Sequence, residues 1–221
     1  GEQLVFQGNV AQQNGKPLNA FYLAPYLGVN PENGNLLFRG ADGLPTEEID
    51  DEDRRFMDEN YIPSYQGGFG LNASYKGFFV NSNFSFVADI ARFDFDLALL
   101  SSPNNIGSYG ATTDYLRAWT EDNRGATFPS INATNVTFDG LSDRFLRDAS
   151  YIRLKNVIVG YDVPAKFLDK TFLSSVRVYG QAENYFTWSN WRGFDVEGLN
   201  GSNQGGYPSP KVISFGLDIS F

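Results

Sequence analysis

The sequence contains no cysteine and no histidine. The first absence excludes disulfide bonds and thiolate metal sites, and the second removes the usual general base and the commonest metal ligand. The chain also lacks any apolar stretch close to the roughly 18 residues that a membrane-spanning helix requires. We therefore expect no enzyme, no cofactor and no helical membrane protein. Membrane-spanning β-strands stay open, because their hydropathy signal is much weaker.

Basic residues are scarce as well. Lys and Arg total 17 against 26 Asp and Glu, which gives a net charge of −9. Because nucleic acid requires a basic surface, it is not an expected partner. What the chain has instead is 16% aromatic residues and 23 glycines among 221 residues. That composition favours a turn-rich β protein over a helical one.

The stretch from Lys211 to Phe221 shows strict alternation, which predicts a strand with one apolar and one polar face. Its length suits a tilted crossing of a bilayer, which takes about 9–11 residues. We interpret it as the barrel-closing strand of an outer-membrane β-barrel and as the signal that the barrel-assembly machinery reads. The apolar residues that carry this interpretation are Ile213, Phe215, Leu217, Ile219 and Phe221.

Four more strands are predicted by the same alternation, over residues 67–75, 78–90, 150–161 and 175–188, with up to three weaker ones upstream. In the third, Ile152, Leu154 and Ile158 are predicted on one face, with Arg153 and Lys155 on the other. The fold class is thus an antiparallel transmembrane β-barrel, of which about five to eight strands are present. Segments 29–66, 91–149 and 189–210 become long external loops, and Lys76-Gly77 and residues 162–174 become short periplasmic connections, the asymmetry of such barrels.

Two groups of carboxylates are candidate sites. The acidic run contains Glu47, Glu48, Asp50, Asp51 and Asp53 and is a weak candidate for an ion site, since the EF-hand spacing is absent; a solvated loop is favoured. Asp94 and Asp96 alternate as on one face of a strand and could be paired catalytic carboxylates. Charged positions facing a barrel lumen explain them better. A short helix is predicted over Thr113–Thr120.

The segment Asp148–Val157, DASYIRLKNV, followed by Gly160-Tyr161 and Pro164, closely resembles a stretch of the SusC/RagA-type TonB-dependent transporters of Bacteroidetes. Ser175–Asn184, SVRVYGQAEN, with Phe186-Thr187 and Gly193-Phe194-Asp195, is similar to the next segment of that family. The remaining matches are Gly15–Leu18, Gly28–Gly34, Ala41–Gly43, Gly67–Phe69, Tyr207–Pro210 and the terminal strand.

The resemblance implies a C-terminal fragment of a 22-stranded barrel, whose plug, TonB box and targeting segment lie outside these residues. It implies a protein of a Gram-negative outer membrane that imports an oligosaccharide or a peptide. The implied partners are a SusD-type surface lipoprotein, TonB, the rest of the barrel and plug, and membrane lipid with lipopolysaccharide. Aromatic side chains in or near the predicted external loops could contact ligand or lipoprotein, or could simply pack within loops: Trp119, Trp188 and Trp191.

Two alternatives remain. A small stand-alone outer-membrane barrel with adhesin-like loops would need about eight good strands, whereas five are evident. A soluble, secreted, carbohydrate-binding β-sandwich would turn its polar faces outward and would not need a terminal Phe.

Overall fold

The computed structural model describes residues 4–193, 195–198 and 207–221. Most of its regular structure is antiparallel strand, so the predicted all-β class is confirmed. The strands are β1 (Val5–Gln7), β2 (Val10–Gln12), β3 (Ala20–Leu23), β4 (Tyr26–Val29), β5 (Leu36–Arg39), β6 (Pro45–Thr46), β7 (Arg55–Phe56), β8 (Tyr65–Tyr75), β9 (Phe78–Ala88), β10 (Ala91–Phe93), β11 (Leu146–Asp148), β12 (Tyr151–Asp162), β13 (Ser175–Glu183), β14 (Thr187–Ser189) and β15 (Val212–Ser220). The helical elements are α1 (Phe95–Leu100) and 3-10 turns at Asp51–Asp53, Pro103–Asn105, Thr113–Arg117, Val136–Leu141, Asp143–Phe145 and Ala165–Phe167.

Helices contribute no membrane crossing in the ranges given above, because none combines sufficient length with sufficient apolar character.

Five long strands form one sheet, here called the wall sheet, in the order β15-β13-β12-β9-β8, with β14 pairing β12 beyond the end of β13. Every neighbouring pair is antiparallel. The strands are 9 to 12 residues long. The tightest connection is Lys76-Gly77, where φ is 51° and 90°. Two successive positive φ values are those of a type I′ hairpin, whose twist matches the flanking strands.

The two sides of the wall sheet differ in chemistry, because residues directly opposite in neighbouring strands share a side. One side is polar and carries Asn81, Asn83, Arg177, Gln181 and Ser214. The other, the apolar side, exposes most of its large side chains: Phe69, Leu71, Tyr75, Phe78, Ile152, Val159, Val178, Ile213, Phe215, Leu217 and Ile219. An exposed apolar surface of this extent marks an interaction with apolar surroundings.

A β-bulge in β12 corrects the predicted position of Ile158. Leu154 pairs with Phe84 and Asn156 with Asn83, so Lys155 is an extra residue in β12. One extra residue shifts the alternation of everything after it by one position. Ile158 consequently lies opposite Asn81 and Gln181 on the polar side, and its predicted place beside Ile152 and Leu154 is wrong.

The strand predicted over 175–188 is interrupted at the level of that bulge. β13 ends at Glu183, Asn184 adopts a φ of 52°, and pairing with β12 resumes in β14. Asn tolerates this left-handed conformation better than most residues. The backbone N–H of Asn184 donates to the carbonyl of Lys155 at 3.1 Å, so the bulge and the break accommodate each other.

Residues 4–64 and 90–149, here called the loop lobe, contain buried apolar clusters that the sequence pattern did not predict. One is built on Leu36, Phe38 and Val136, and another on Phe21 and Leu23. Asn135 links distant segments, because its side chain exchanges hydrogen bonds of 3.0 and 2.9 Å with the backbone of Leu36 and donates to the carbonyl of Glu47 at 2.7 Å. The predicted loops 29–66 and 91–149 are therefore packed structure.

The interpretation of Asp94 and Asp96 as strand residues is wrong. Asp94 is 1% exposed and accepts a hydrogen bond from the backbone N–H of Leu97 at 2.9 Å, which caps α1. Asp96 lies in the first turn of α1. The helix replaces the alternation after Phe93, so these carboxylates do not form a lumen-facing pair.

The first prediction concerns Gly160, which lies on the polar side directly against the ring of Phe79. A Cβ at residue 160 would overlap that ring and lie 2.7 Å from the main-chain carbonyl oxygen of Val178. Gly160→Ala should therefore destabilise the full-length protein by about 1–3 kcal/mol. The measurement is the temperature at which purified protein loses its folded gel mobility. Gly125→Ala, which meets nothing within 4 Å, is the control; equal midpoints for both variants would contradict the packing.

Candidate functional site

The clearest polar network joins β12 to Asp195, Glu197 and Ser209 in the loop that follows β14 and is here called the Arg153 clasp. Arg153 is 4% exposed on the polar side and forms an ion pair with Asp195 and another, of 2.7 Å, with Glu197. Glu197 also accepts from Lys155 Nζ at 2.8 Å and from the Tyr151 hydroxyl at 2.8 Å. Three residues of one strand thus hold a short segment of the following loop.

Asp195 organises the loop side of the clasp. Its carboxylate accepts the backbone N–H of Glu197 at 3.0 Å and that of Ser209 at 2.9 Å, so it draws together two parts of the chain on either side of residues 199–206. Burial disfavours the charged carboxylate, but the hydrogen bonds from Arg153 and the two backbone N–H groups outweigh it and hold the pKa of Asp195 below its usual range. The carboxylate is therefore ionised under all ordinary conditions.

A cavity of about 220 Å³ lies beside the clasp. Two buried donors at this place have no hydrogen-bond partner in the described ranges, namely Arg153 Nε and Trp191 Nε1. Trp191 also packs against the apolar cluster of Ile90, Ala149 and Val196. The clasp therefore combines charge pairing with apolar packing where the wall sheet meets the loop lobe.

A second cavity, of about 340 Å³, lies at the edge of the loop lobe and is here called the arginine cavity. Four guanidinium groups line it, those of Arg117, Arg144, Arg147 and Arg192, together with the carboxylate of Asp114. Asp114 pairs with Arg117 at 2.8 Å and with Arg192 at 3.2 Å. Apolar and hydroxyl groups complete the wall: Tyr26, Leu97, Ser101, Thr127, Phe128 and Phe145.

Arg144 is the buried framework of the arginine cavity. Both oxygens of Asp139 accept from its Nη1 at 2.8 Å. Its guanidinium carbon lies 4.7 Å from the ring centroid of Phe145, 5.3 Å from that of Phe128 and 5.6 Å from that of Tyr26. Paired and stacked in this way, Arg144 holds three segments of the loop lobe together. No sequence pattern indicated this residue, because Tyr26 and Phe128 are brought to it only by the fold.

The three tryptophans singled out from the sequence lie in different surroundings. Trp119 donates from Nε1 to the carbonyl of Pro31 at 3.1 Å and packs over Gly34, so it joins two loops of the lobe. Trp188 is 54% exposed on the apolar side, opposite Ile152 and stacked on Phe186. Trp191 lines the clasp cavity. The structure does not bring them together, and a ligand or lipoprotein contact for each stays a prediction.

The acidic run does not converge on one point. Glu47 accepts from the side-chain amides of Asn30, Asn33 and Asn35 at 2.6 to 2.8 Å, and the bond from Asn35 contributes most to lowering the pKa of its carboxyl. Asp53 accepts instead from the backbone N–H groups of residues 41 and 50. Across the described ranges, no group of three or more carboxylates is arranged to hold a metal ion.

The predicted terminal strand is present as β15, and its named residues up to Ile219 lie on the apolar side. Phe221 follows β15 and is 92% exposed. Its role in barrel closure or assembly remains a prediction. Of the predicted loop 189–210, residues 194 and 199–206 lie outside the described residues, and with them Phe194 of the family-like motif.

Comparison with known proteins gives a consistent pattern, although no family model matches the chain. TonB-dependent receptor P3 of Formosa agariphila is 29% identical over a region covering 95% of the chain and 23% of that receptor. TonB-dependent receptor SusC of Bacteroides thetaiotaomicron is 28% identical over 59% of the chain and 14% of its own length. In the structure of the RagAB peptide transporter, one chain matches the whole of this one with a TM-score of 0.83 and 26% identity, over 25% of its length. The chain therefore spans at most about a quarter of these relatives.

The Arg153 clasp gives the second prediction. Asp195→Asn removes the carboxylate charge but leaves Arg153 buried with only Glu197 as counter-charge, which should cost up to about 3 kcal/mol. The loop should open, so limited proteolysis of the full-length protein within 189–210 should be at least about tenfold faster.

The matched control is Asp169→Asn, an exposed carboxylate in the connection between β12 and β13. The pKa of the Asp195 carboxyl is lower in the folded chain than in the unfolded chain. Its ion pair therefore stabilises the loop fully above the unfolded pKa, and this stabilisation is lost only as the pH falls through the lower folded pKa. Protection should therefore be the same at about pH 5 as at pH 7. Unchanged proteolysis of the Asp195 variant would show that the clasp does not hold the loop.

Proposed function

We propose that this chain, which is homologous to part of the TonB-dependent receptors of the SusC and RagA type, forms wall strands and external loops of an outer-membrane importer. The import is energised through TonB, which acts on parts of the protein that these residues do not include. No side chain described here is arranged for bond chemistry, so its contribution is passage, recognition and closure of the barrel wall.

The observation that carries the proposal is the two-sided wall sheet. Its apolar side exposes Phe215 at 87% and Leu217 at 58%, whereas Ser214 and Asp218 alternate with them on the other side. In water such a surface would be covered or would aggregate, but in a bilayer it faces lipid. The polar side then faces an aqueous lumen, where groups such as Asn83 and Asn156, bonded to each other at 2.9 Å, are satisfied.

The distribution of connections supports an orientation. One end of the wall sheet carries the Lys76-Gly77 turn and the connection 163–174, and the other end carries the loop lobe and residues 190–211. Outer-membrane barrels have short periplasmic turns and long external loops. We therefore place the loop lobe, the clasp and the arginine cavity outside the cell, where substrate arrives.

A surface lipoprotein of the SusD type is the proposed partner at this external face. The support is the likeness to a chain of the RagAB transporter, which is described as importing peptides, and to SusC. The proposed substrate is an oligosaccharide or a peptide. Exposed aromatics of the loop lobe, among them Tyr109 at 59% exposure, are suitable contacts for either partner or substrate.

A matched pair of substitutions in β15 tests the membrane orientation. Phe215→Arg places a charge on the apolar side near mid-strand and should cost about 2–4 kcal/mol, whereas Ser214→Arg faces the lumen and should be tolerated. The measurement is the amount of heat-modifiable full-length protein in the outer membrane. Equal accumulation of the two variants, or a soluble wild-type protein, would instead favour a secreted β-sandwich.

Import itself is tested on the full-length protein in its own cell. We expect a surface lipoprotein to co-purify in stoichiometric amount, and uptake of the selected nutrient to stop when TonB is deleted. A folded barrel with no lipoprotein and no TonB-dependent uptake would overturn the importer and favour a stand-alone barrel. Phe215→Arg should lose uptake together with the barrel, whereas Ser214→Arg should keep both.

A further inference from the structure

We infer that the arginine cavity binds a single carboxylate group of the substrate, either a uronic acid or the C-terminus of a peptide. The inference rests on the proposed function for its substrate class, because only an external cavity of an importer would meet such a solute. The binding site itself stands on the residues that line the cavity. Neither the clasp cavity nor the acidic run contributes to it.

Unpartnered donors are the first line of support. Ser101 is fully buried and its Oγ has no hydrogen-bond partner in the described ranges; the same is true of the buried hydroxyl of Tyr26. Both residues line the arginine cavity. Buried polar groups are nearly always satisfied, so two orphaned hydroxyls on one wall indicate that an acceptor occupies the cavity.

Arg147 supplies a third donor. Its Nη1 donates to the carbonyl of Leu146 at 3.0 Å, and its other N–H groups have no acceptor among the described residues. The remaining arginines differ in this respect, because Arg144 is paired with Asp139 and Arg117 and Arg192 share Asp114. Arg147 therefore presents an available planar fork, the geometry that matches the two oxygens of a carboxylate.

The lining of the cavity is predominantly cationic. Four guanidinium groups line it against one carboxylate, that of Asp114, while Asp139 lies behind Arg144 and Asp94 and Asp143 act on Arg147 from outside the lining. Burial lowers the pKa of Arg147, and the charges of Arg192 and Arg144 lower it further, while Asp94 and Asp143 oppose them. Burial also raises the pKa of Asp94, which weakens the larger of these two countercharges. A bound carboxylate would relieve this concentration of positive charge.

The size and wall of the cavity agree with a carboxylate carried on a larger body. Its volume of about 340 Å³ is well above that of a simple ion. Leu97, Phe128 and Phe145 provide apolar surface for the remainder of a sugar or amino-acid unit. The wall thus offers polar groups for a carboxylate and apolar surface for the body that carries it, a combination that small-molecule sites use for orientation and affinity.

The test is isothermal titration of the detergent-purified full-length protein with two carboxylates and their neutral counterparts. Glucuronate is compared with glucose, and N-acetylalanine with N-acetylalaninamide. We expect at least one carboxylate to bind at one site per chain and neither neutral compound to bind. Preference for glucuronate identifies a uronic acid as the source, and preference for N-acetylalanine identifies a peptide C-terminus. Failure of both carboxylates to bind folded protein overturns the inference.

Two variants locate the binding. Tyr26→Phe removes only a hydroxyl without a protein partner, so it should leave the folded gel mobility unchanged and weaken binding about tenfold. Arg147→Gln should weaken binding at least as much. Tyr75→Phe and Arg124→Gln are matched controls at exposed residues away from the cavity, and they should bind like wild type. Binding that neither Tyr26→Phe nor Arg147→Gln reduces overturns the assignment to this cavity.

The outcome separates this inference from the proposed function. If TonB-dependent uptake and lipoprotein co-purification are found but no carboxylate binds, the importer stands and the carboxylate site falls. If carboxylate binding depends on Tyr26 while uptake and lipoprotein are absent, the site stands and its role in selecting an imported substrate falls.

Discussion

Main-chain hydrogen bonding between neighbouring strands is the constraint on which the wall sheet depends, because apolar surroundings offer no other partner for N–H and C=O groups. The register then decides which side chains share a side. The pairs Phe78↔Tyr161, Val80↔Val159, Phe84↔Leu154 and Phe86↔Ile152 each place two apolar side chains on the apolar side. The outer edges of β8 and β15 have no strand beside them within the described residues. They are the edges at which further strands of the longer relatives would continue the barrel.

The bulge at Lys155 makes the transition from wall to loops possible. It ends the regular alternation of β12 at the level where Asn184 interrupts β13, and just beyond it Arg153 is turned to the polar side beneath Asp195. In an unbroken strand, Arg153 and Ile158 would lie on opposite sides. By breaking its own period once, β12 supplies both an apolar side in the wall sheet and a charged anchor for the loop.

Alternation predicted the wall strands from sequence because one face of each is apolar over many consecutive residues, as in Ile213 to Ile219. Alternation failed for Ile158, because a bulge has no compositional signal. It failed for Asp94 as well, because strand β10 ends at Phe93 and a helix capped by Asp94 follows. It also gave no account of the loop lobe. There Asn135 meets Leu36 across 99 residues of sequence, and such contacts leave no periodic trace. For the same reason the arginine cavity, drawn from residues 26 to 192, was not foreseen.

The arginine cavity is basic in a chain whose net charge is −9, and the two facts are compatible because they act over different distances. Charges on the acidic surface are screened beyond about 8 Å at physiological salt. Within the cavity, where Arg147 is half-buried, screening is weaker and the nearest charges dominate. The acidic surface would then not attract anions in general, whereas the arginine cavity would still attract an anion that enters it. Recognition of the proposed carboxylate then depends on fitting the apolar part of the wall as well as on carrying a charge, which is the discrimination that the proposed importer requires.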